Sequence, residues 1–130
     1  LKIRPPVQTT ATVTRKLNLT REMLIAHVPV NESFILVDDE QIRHGLPHSR
    51  ALPFLEKQGQ YWGPPADDET AIRELERMKS AGAMMIVFAW PCFWWLEHYA
   101  AFHRHLRDRF PCVLQNEQVV IFSLQDFQQT

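Results

Sequence analysis

The sequence predicts an α/β fold, a three-layer domain built on a mixed sheet of about five strands that closes on an antiparallel hairpin. Three observations carry that expectation. Residues 67–110 read as a charged amphipathic helix ending at Gly82, an unbroken apolar strand from Met84 to Ala89, and a second helix opened by Trp90-Pro91-Cys92-Phe93-Trp94-Trp95. The run Phe34-Ile35-Leu36-Val37 meets Asp38-Asp39-Glu40 abruptly, as a buried strand does where its carboxyl end emerges into water. Near the end, Cys112 to Gln115 and Val119 to Leu124 flank Asn116-Glu117 as two strands flank a tight turn, with Asn tolerating positive φ.

Taken in order, residues 1–20 carry Arg4-Pro5-Pro6 and then Thr9, Thr10, Thr12 and Thr14. Proline fixes the backbone and threonine disfavours helix, so this stretch reads as an extended linker. Thr20 then caps a short helix whose inward face is Met23, Leu24 and His27, stopped by Pro29. After the first strand, Gln41 to His48 is loop or irregular helix, and Arg50 to Phe54 is a short strand that Pro53 places at a sheet edge. Gly59-Gln60-Tyr61-Trp62-Gly63-Pro64-Pro65 is a loop displaying two aromatic residues.

Asp67, Asp68 and Glu69 supply the cap and first-turn charge of the next helix, and Ala71, Ile72, Leu75 and Met78 form its apolar stripe. The strand Met84 to Ala89 shows no alternation, so it is expected at the centre with both faces covered. In the helix after it, Trp95, Tyr99, Phe102, Leu106 and Phe110 share one narrow core-facing sector. The domain expected is Rossmann-like, over residues 21–126, followed by a tail at 127–130.

Composition narrows the function classes. The 130 residues include 45% apolar and 22% charged, ordinary values for one globular domain. A net charge of -1, from 14 Lys and Arg against 15 Asp and Glu, gives no electrostatic footprint for nucleic acid. The apolar runs fall far short of the roughly 20 residues of a spanning helix, and no signal pattern opens the chain, so no membrane insertion and a cytoplasmic location are expected. Cys92 and Cys112 lack ligand spacing and read as buried free thiols. The start at Leu1 reads as a piece excised from a longer protein.

Seven residues are candidates for ligand binding: Asp38, Asp39, Tyr61, Trp62, Trp90, Trp94 and His98. Strand-end carboxylates are hard ligands suited to a divalent cation and a sugar-nucleotide diphosphate, though such acids are commonly solvated loop residues. Tyr61, Trp62, Trp90, Trp94 and Trp95 offer aromatic platforms for sugar rings, set against plain packing. Trp95 lies on the core stripe. Trp94, His98 and His105 project within about 40° of one another on an ideal helix, yet His98 and His105 are about 10 Å apart along the axis, too far for one metal ion. No metal or other cofactor is therefore expected. The chain contains no GxGxxG after a strand, no GxxxxGK[ST] and no GxSxG, which removes the usual support for dinucleotide, P-loop and serine-hydrolase chemistry.

Two runs are distinctive as a pair: Asp67-Asp68 followed by Ala71-Ile72-Arg73-Glu74-Leu75-Glu76, and Phe93-Trp94-Trp95-Leu96-Glu97-His98-Tyr99. With Asp38-Asp39-Glu40, Gly59-Gln60-Tyr61-Trp62, Pro65-Ala66, Gly82-Ala83 and His105-Leu106, they resemble an accessory module of bacterial multidomain glycosyltransferases of surface polysaccharide synthesis, over roughly Val28 to Leu124. The resemblance carries no catalytic residues. It implies a non-catalytic domain that contacts the catalytic domain of the same polypeptide or an acceptor glycan, inactive by itself. The rival expectations are a sugar-nucleotide or sugar-phosphate binding enzyme domain at Asp38, Asp39 and the Trp90-Pro91 turn, and a self-associating module forming a homodimer.

Overall fold

A computed structural model of the chain describes residues 10–125. The first nine residues of the expected linker and the tail at 127–130 lie outside the described residues. The elements run α1 (Thr10–His27), β1 (Phe34–Val37), β2 (Ala51–Pro53), β3 (Glu56–Lys57), β4 (Gln60–Tyr61), α2 (Asp68–Ser80), β5 (Met85–Ala89), α3 (Trp95–His98), α4 (Ala100–Arg109), β6 (Cys112–Gln115) and β7 (Val119–Ser123). Short 3-10 turns occupy Arg43–Gly45 and Trp90–Cys92.

Five strands form one mixed sheet in the order β2-β1-β5-β7-β6, so the expected α/β architecture is present. β1 lies parallel to both β2 and β5, while β7 is antiparallel to β5 and to β6. β5 sits in the middle, and Ile86, Val87, Phe88 and Ala89 are fully buried, as its lack of alternation requires. Pro53 lies on the edge strand β2, where its missing N–H costs no ladder bond.

Alternate residues of the central strands divide between two cores. Ile35, Val37, Ile86, Phe88, Val120 and Phe122 pack against Ala71, Leu75 and Met78 of α2 and against Trp95, Tyr99, Phe102, Leu106 and Phe110. Phe34, Leu36, Val87, Ala89, Val119 and Ile121 pack on the other face against Leu24 and Val28, with Leu17 and Met23 beside them. Thus, among the described residues, α1 is the helix that covers one face, with Ile42 and Leu46 beside it, and α2 and α4 cover the other.

That requirement overturns the linker reading of residues 10–20. The second face of β5 needs a cover, and Leu17, Thr20, Leu24 and Val28 recur at helical spacing to supply it. Thr20 is not a cap but a fully buried mid-helix residue whose hydroxyl donates to the Lys16 carbonyl at 2.8 Å. His27, expected inside, is exposed, and Val28 takes the buried position.

Three other expectations change in detail. The helix after β5 is broken at Tyr99 (φ -102°, ψ 65°) into α3 and α4. The restart is capped from elsewhere: the Asp68 carboxylate accepts from the Phe102 N–H at 2.9 Å, tying α2 to α4. The loop at Gly59 contains the small hairpin β3–β4, turned by Gln58 and Gly59 at φ +54° and +81°. Two positive φ values mark the type I′ geometry that matches strand twist. At the last hairpin, Asn116 acts through its side chain, whose oxygen accepts from Gln118 N and Val119 N at 2.9 and 3.0 Å.

The end of α2 follows its sequence signal closely. Gly82 sits at φ +114°, the Gly82 N–H donates to Lys79 O, and the Ala83 N–H donates to Met78 O, which together make a Schellman motif. A Cβ added at Gly82 meets no described atom within 4 Å, so any cost of Gly82→Ala is backbone strain. We expect that substitution to lower the unfolding free energy by about 1–2 kcal/mol in urea denaturation. An unshifted midpoint would show that φ is not held there.

Candidate functional site

The strand order reverses direction at β1. From β1 the chain steps to β2 on one side, then crosses through α2 to β5 on the other, so the carboxyl ends of β1 and β5 flank a topological switch point. Ligands of open α/β sheets gather in such crevices. Here that rim carries Asp38, Asp39 and Glu40 from the end of β1 and Trp90 and Cys92 from the end of β5.

Asp38 is the buried member, 2% exposed. Its two oxygens accept backbone N–H bonds from Glu40 at 3.0 Å, Ile42 at 2.8 Å and Arg43 at 2.7 Å. Burial raises the Asp38 carboxyl above its ordinary value, against the lowering pull of those N–H groups. The carboxylate therefore organises its own loop, in which Asp39 and Glu40 take φ of +53° and +60°. Glu40 in turn holds Arg43 through a 2.7 Å ion pair.

Asp39 is exposed and accepts a 3.4 Å hydrogen bond from the Tyr61 hydroxyl, which brings the β3–β4 hairpin onto the rim. Burial first, and then the Asp39 charge, push the Tyr61 phenol up to about 12. Cys92 is buried on the same rim, and burial followed by the charges of Asp39 and Asp38 pushes its thiol up to about 12. Such a thiol is no nucleophile at neutral pH. Cys112, by contrast, is exposed on β6, so the expectation of two buried thiols holds for Cys92 alone.

Trp90 completes the rim. Its indole N–H is buried without a hydrogen-bond partner among the described residues, and the Lys16 ammonium stands 4.5 Å from the ring centroid. Lys16 lies in the stretch read as linker, so sequence reasoning missed it; the Leu17, Thr20, Leu24 spacing was the signal for the helix that carries it.

The remaining candidates are Trp62, Trp94 and His98. Trp62 follows Tyr61 but is 60% exposed, and it lines a groove of about 360 Å³ with Leu55, Glu56, Lys57, Gln58, Glu74 and Arg77. Trp94 is 48% exposed and leans on Trp95, Tyr99 and an edge-on His98 at centroid distances of 6.0, 6.1 and 5.6 Å. Trp95 is core, at 2% exposure. His105 pairs with Glu76 at 3.3 Å rather than with His98. The structure thus brings Asp38, Asp39, Tyr61, Trp90 and Cys92 to one end of the sheet, places Trp94 two residues beyond Cys92, and presents Trp62 in a groove of its own.

Among the described residues no group of three or more His, Cys, Asp or Glu is placed to hold a metal ion, and no helix is long and apolar enough to cross a membrane. No protein-family model, curated protein or solved structure matches the chain.

Two measurements check this electrostatic arrangement. A thiol reagent at mildly alkaline pH should label Cys112 rapidly in the folded chain and Cys92 only after unfolding; prompt labelling of Cys92 would contradict its burial. For Asp38, a folded-state pKa above the unfolded 3.8 means that the folded chain holds this proton more tightly. Its contribution to stability is present at low pH and is lost as pH rises from 3.8 through the raised folded value. Urea midpoints compared across that interval should show this slope in the native chain and not in Asp38→Asn.

Proposed function

We propose that this chain is a non-catalytic accessory domain of a bacterial, cytoplasmic glycosyltransferase, placed beside the catalytic domain of the same polypeptide and contacting an acceptor glycan. The observation that carries this reading is the contrast between the two groups of candidates. At the sheet's carboxyl end, Asp38 is engaged by three backbone N–H groups and Cys92 is a buried, high-pKa thiol. The large exposed aromatic side chains are Trp62 and Trp94, and Trp62 lines a separate groove between the β3–β4 hairpin and α2. Exposed indoles favour binding through apolar faces over proton transfer or nucleophilic attack. The paired runs at 67–76 and 93–99, which resemble the glycosyltransferase-associated module, supply the context.

A second reading, a sugar-nucleotide or sugar-phosphate site, has one specific observation in its favour. The Trp90 N–H at the carboxyl end of β5 is buried without a partner among the described residues, and the Lys16 ammonium over its ring places a cation near the switch point. The neighbouring Asp39 and Glu40 charges oppose a phosphate there.

Kinetics of the parent polypeptide, with donor and acceptor varied separately, distinguish the two. Trp62→Ala should raise the acceptor KM several-fold and leave the donor KM unchanged, whereas Lys16→Ala and Asp39→Asn should alter neither. A raised donor KM in the Lys16 and Asp39 variants would move the donor site into this domain and overturn the accessory reading.

A further inference from the structure

The groove beside Trp62 has a definite construction. One wall is the β3–β4 hairpin, contributing Leu55, Glu56, Lys57 and Gln58; the other is the outer face of α2, contributing Glu74 and Arg77. The hairpin is short, and two registered pairs cannot hold it alone. It is fixed to α2 by Arg77, whose guanidinium donates to the Glu56 carbonyl at 2.9 Å and to the Glu56 carboxylate at 3.0 Å. Glu56 also accepts from the Gly59 N–H at 2.6 Å, closing the turn, and Glu74 accepts from Arg77 Nε at 2.9 Å. On the far side, Tyr61 anchors the hairpin to Asp39. The wall that carries Trp62 is therefore positioned by hydrogen bonds on both sides.

Its surface chemistry is an aromatic platform inside a charge-balanced rim. Two acids, Glu56 and Glu74, face two bases, Lys57 and Arg77, and all are engaged: Arg77 with both carboxylates, and Lys57 at 4.5 Å over the Trp62 ring. A phosphate or carboxylate ligand would face the Glu56 and Glu74 carboxylates and compete with them for Arg77. A neutral polyol leaves both Arg77 ion pairs in place and displaces at most the Lys57 ammonium from one face of the Trp62 ring. Its C–H face gains apolar contact with the indole, and its hydroxyls exchange hydrogen bonds with a carboxylate and a guanidinium that stay paired. The groove's 360 Å³ lies within the range of small-ligand pockets. The cavity beside β6, lined by His103, Arg107 and the buried Phe122, lacks an exposed ring of this kind.

We propose that the groove between the β3–β4 hairpin and α2 is a binding site for a neutral saccharide, stacked on Trp62 and oriented by Glu74 and Arg77. This deepens the accessory reading by naming where the glycan sits and which class it belongs to. The two are separable, because saccharide binding is measured on this chain and glycosyl transfer on the parent enzyme.

The test titrates the chain with maltose, cellobiose and lactose, and with glucuronate and glucose 1-phosphate as charged comparisons, following the indole N–H resonances and the backbone amides of the β3–β4 hairpin and α2 by NMR. The expected result is a saturable shift of the Trp62 resonance with at least one neutral disaccharide. Trp62→Ala should weaken that binding by about tenfold or more, and Glu74→Gln should weaken it several-fold. Trp62 is exposed, so its removal should leave the remaining amide spectrum unchanged and exclude misfolding. No saturable shift with any neutral disaccharide, shifts that persist in Trp62→Ala, or tighter binding of the charged sugars would each overturn the proposal. Binding without any effect of Trp62→Ala on transfer would leave this site standing and remove the accessory role.

Discussion

The structure depends on burying the central strand β5 from both sides. Four consecutive residues, Ile86 to Ala89, are withdrawn from water, and each pair of neighbours points to opposite faces, so neither face of β5 can be left wet. Burial of each large apolar side chain contributes about 1.5–3 kcal/mol, which exceeds the propensity penalty of an indifferent helix. Two helical layers follow from that need. On one face α2 and α4 are strongly amphipathic and joined through the Asp68 contact to Phe102. On the other, α1 is the covering helix among the described residues, and it serves with Leu17 and Leu24, followed by Val28, although its first half is rich in threonine.

The same constraint sets the polar problem at the sheet's end. A strand buried on both faces must turn sharply where it leaves the core, and the loop after β1 does so through two left-handed residues, each of which costs about 1–2 kcal/mol. Asp38 offsets that cost with three backbone hydrogen bonds, at the further expense of burying a carboxylate. The acidic run at the end of β1 is thus explained by chain geometry for its first member. Only Asp39 remains exposed, and it is occupied by Tyr61.

Much of this was legible in the sequence, because the strongest signals were physical ones that the fold also obeys. The unbroken strand, the Asp67 cap, the Gly82 stop and the stripe from Trp95 to Phe110 all appear where patterning put them. What patterning missed came from tertiary override and from local side-chain chemistry. The helical spacing through Leu17, Thr20 and Leu24 was outweighed by the β-branched residues around it, and with that helix went Lys16. The hairpin turn at Gln58-Gly59 was hidden because strands of two residues carry no period. For the site, residue types were legible but partnerships were not. Nothing in the spacing of Asp38 and Ile42 or of Tyr61 and Asp39 says which carboxylate is spent inside a loop and which meets a phenol.

Those partnerships bear on where binding can occur. Tyr61 and Trp62 are adjacent on an extended segment, so they project to opposite sides. One secures the hairpin to the sheet's rim, and the other remains 60% exposed over α2. Adjacent aromatics in the sequence therefore have divided roles, and the position that is structurally free is the one beside a charge-balanced groove. A ligand at Trp62 gains area without breaking Tyr61–Asp39 or Arg77–Glu56, whereas a ligand at the rim competes with Asp39's existing partner. This difference in what must be broken favours the hairpin groove over the strand ends as the place where the domain meets a sugar.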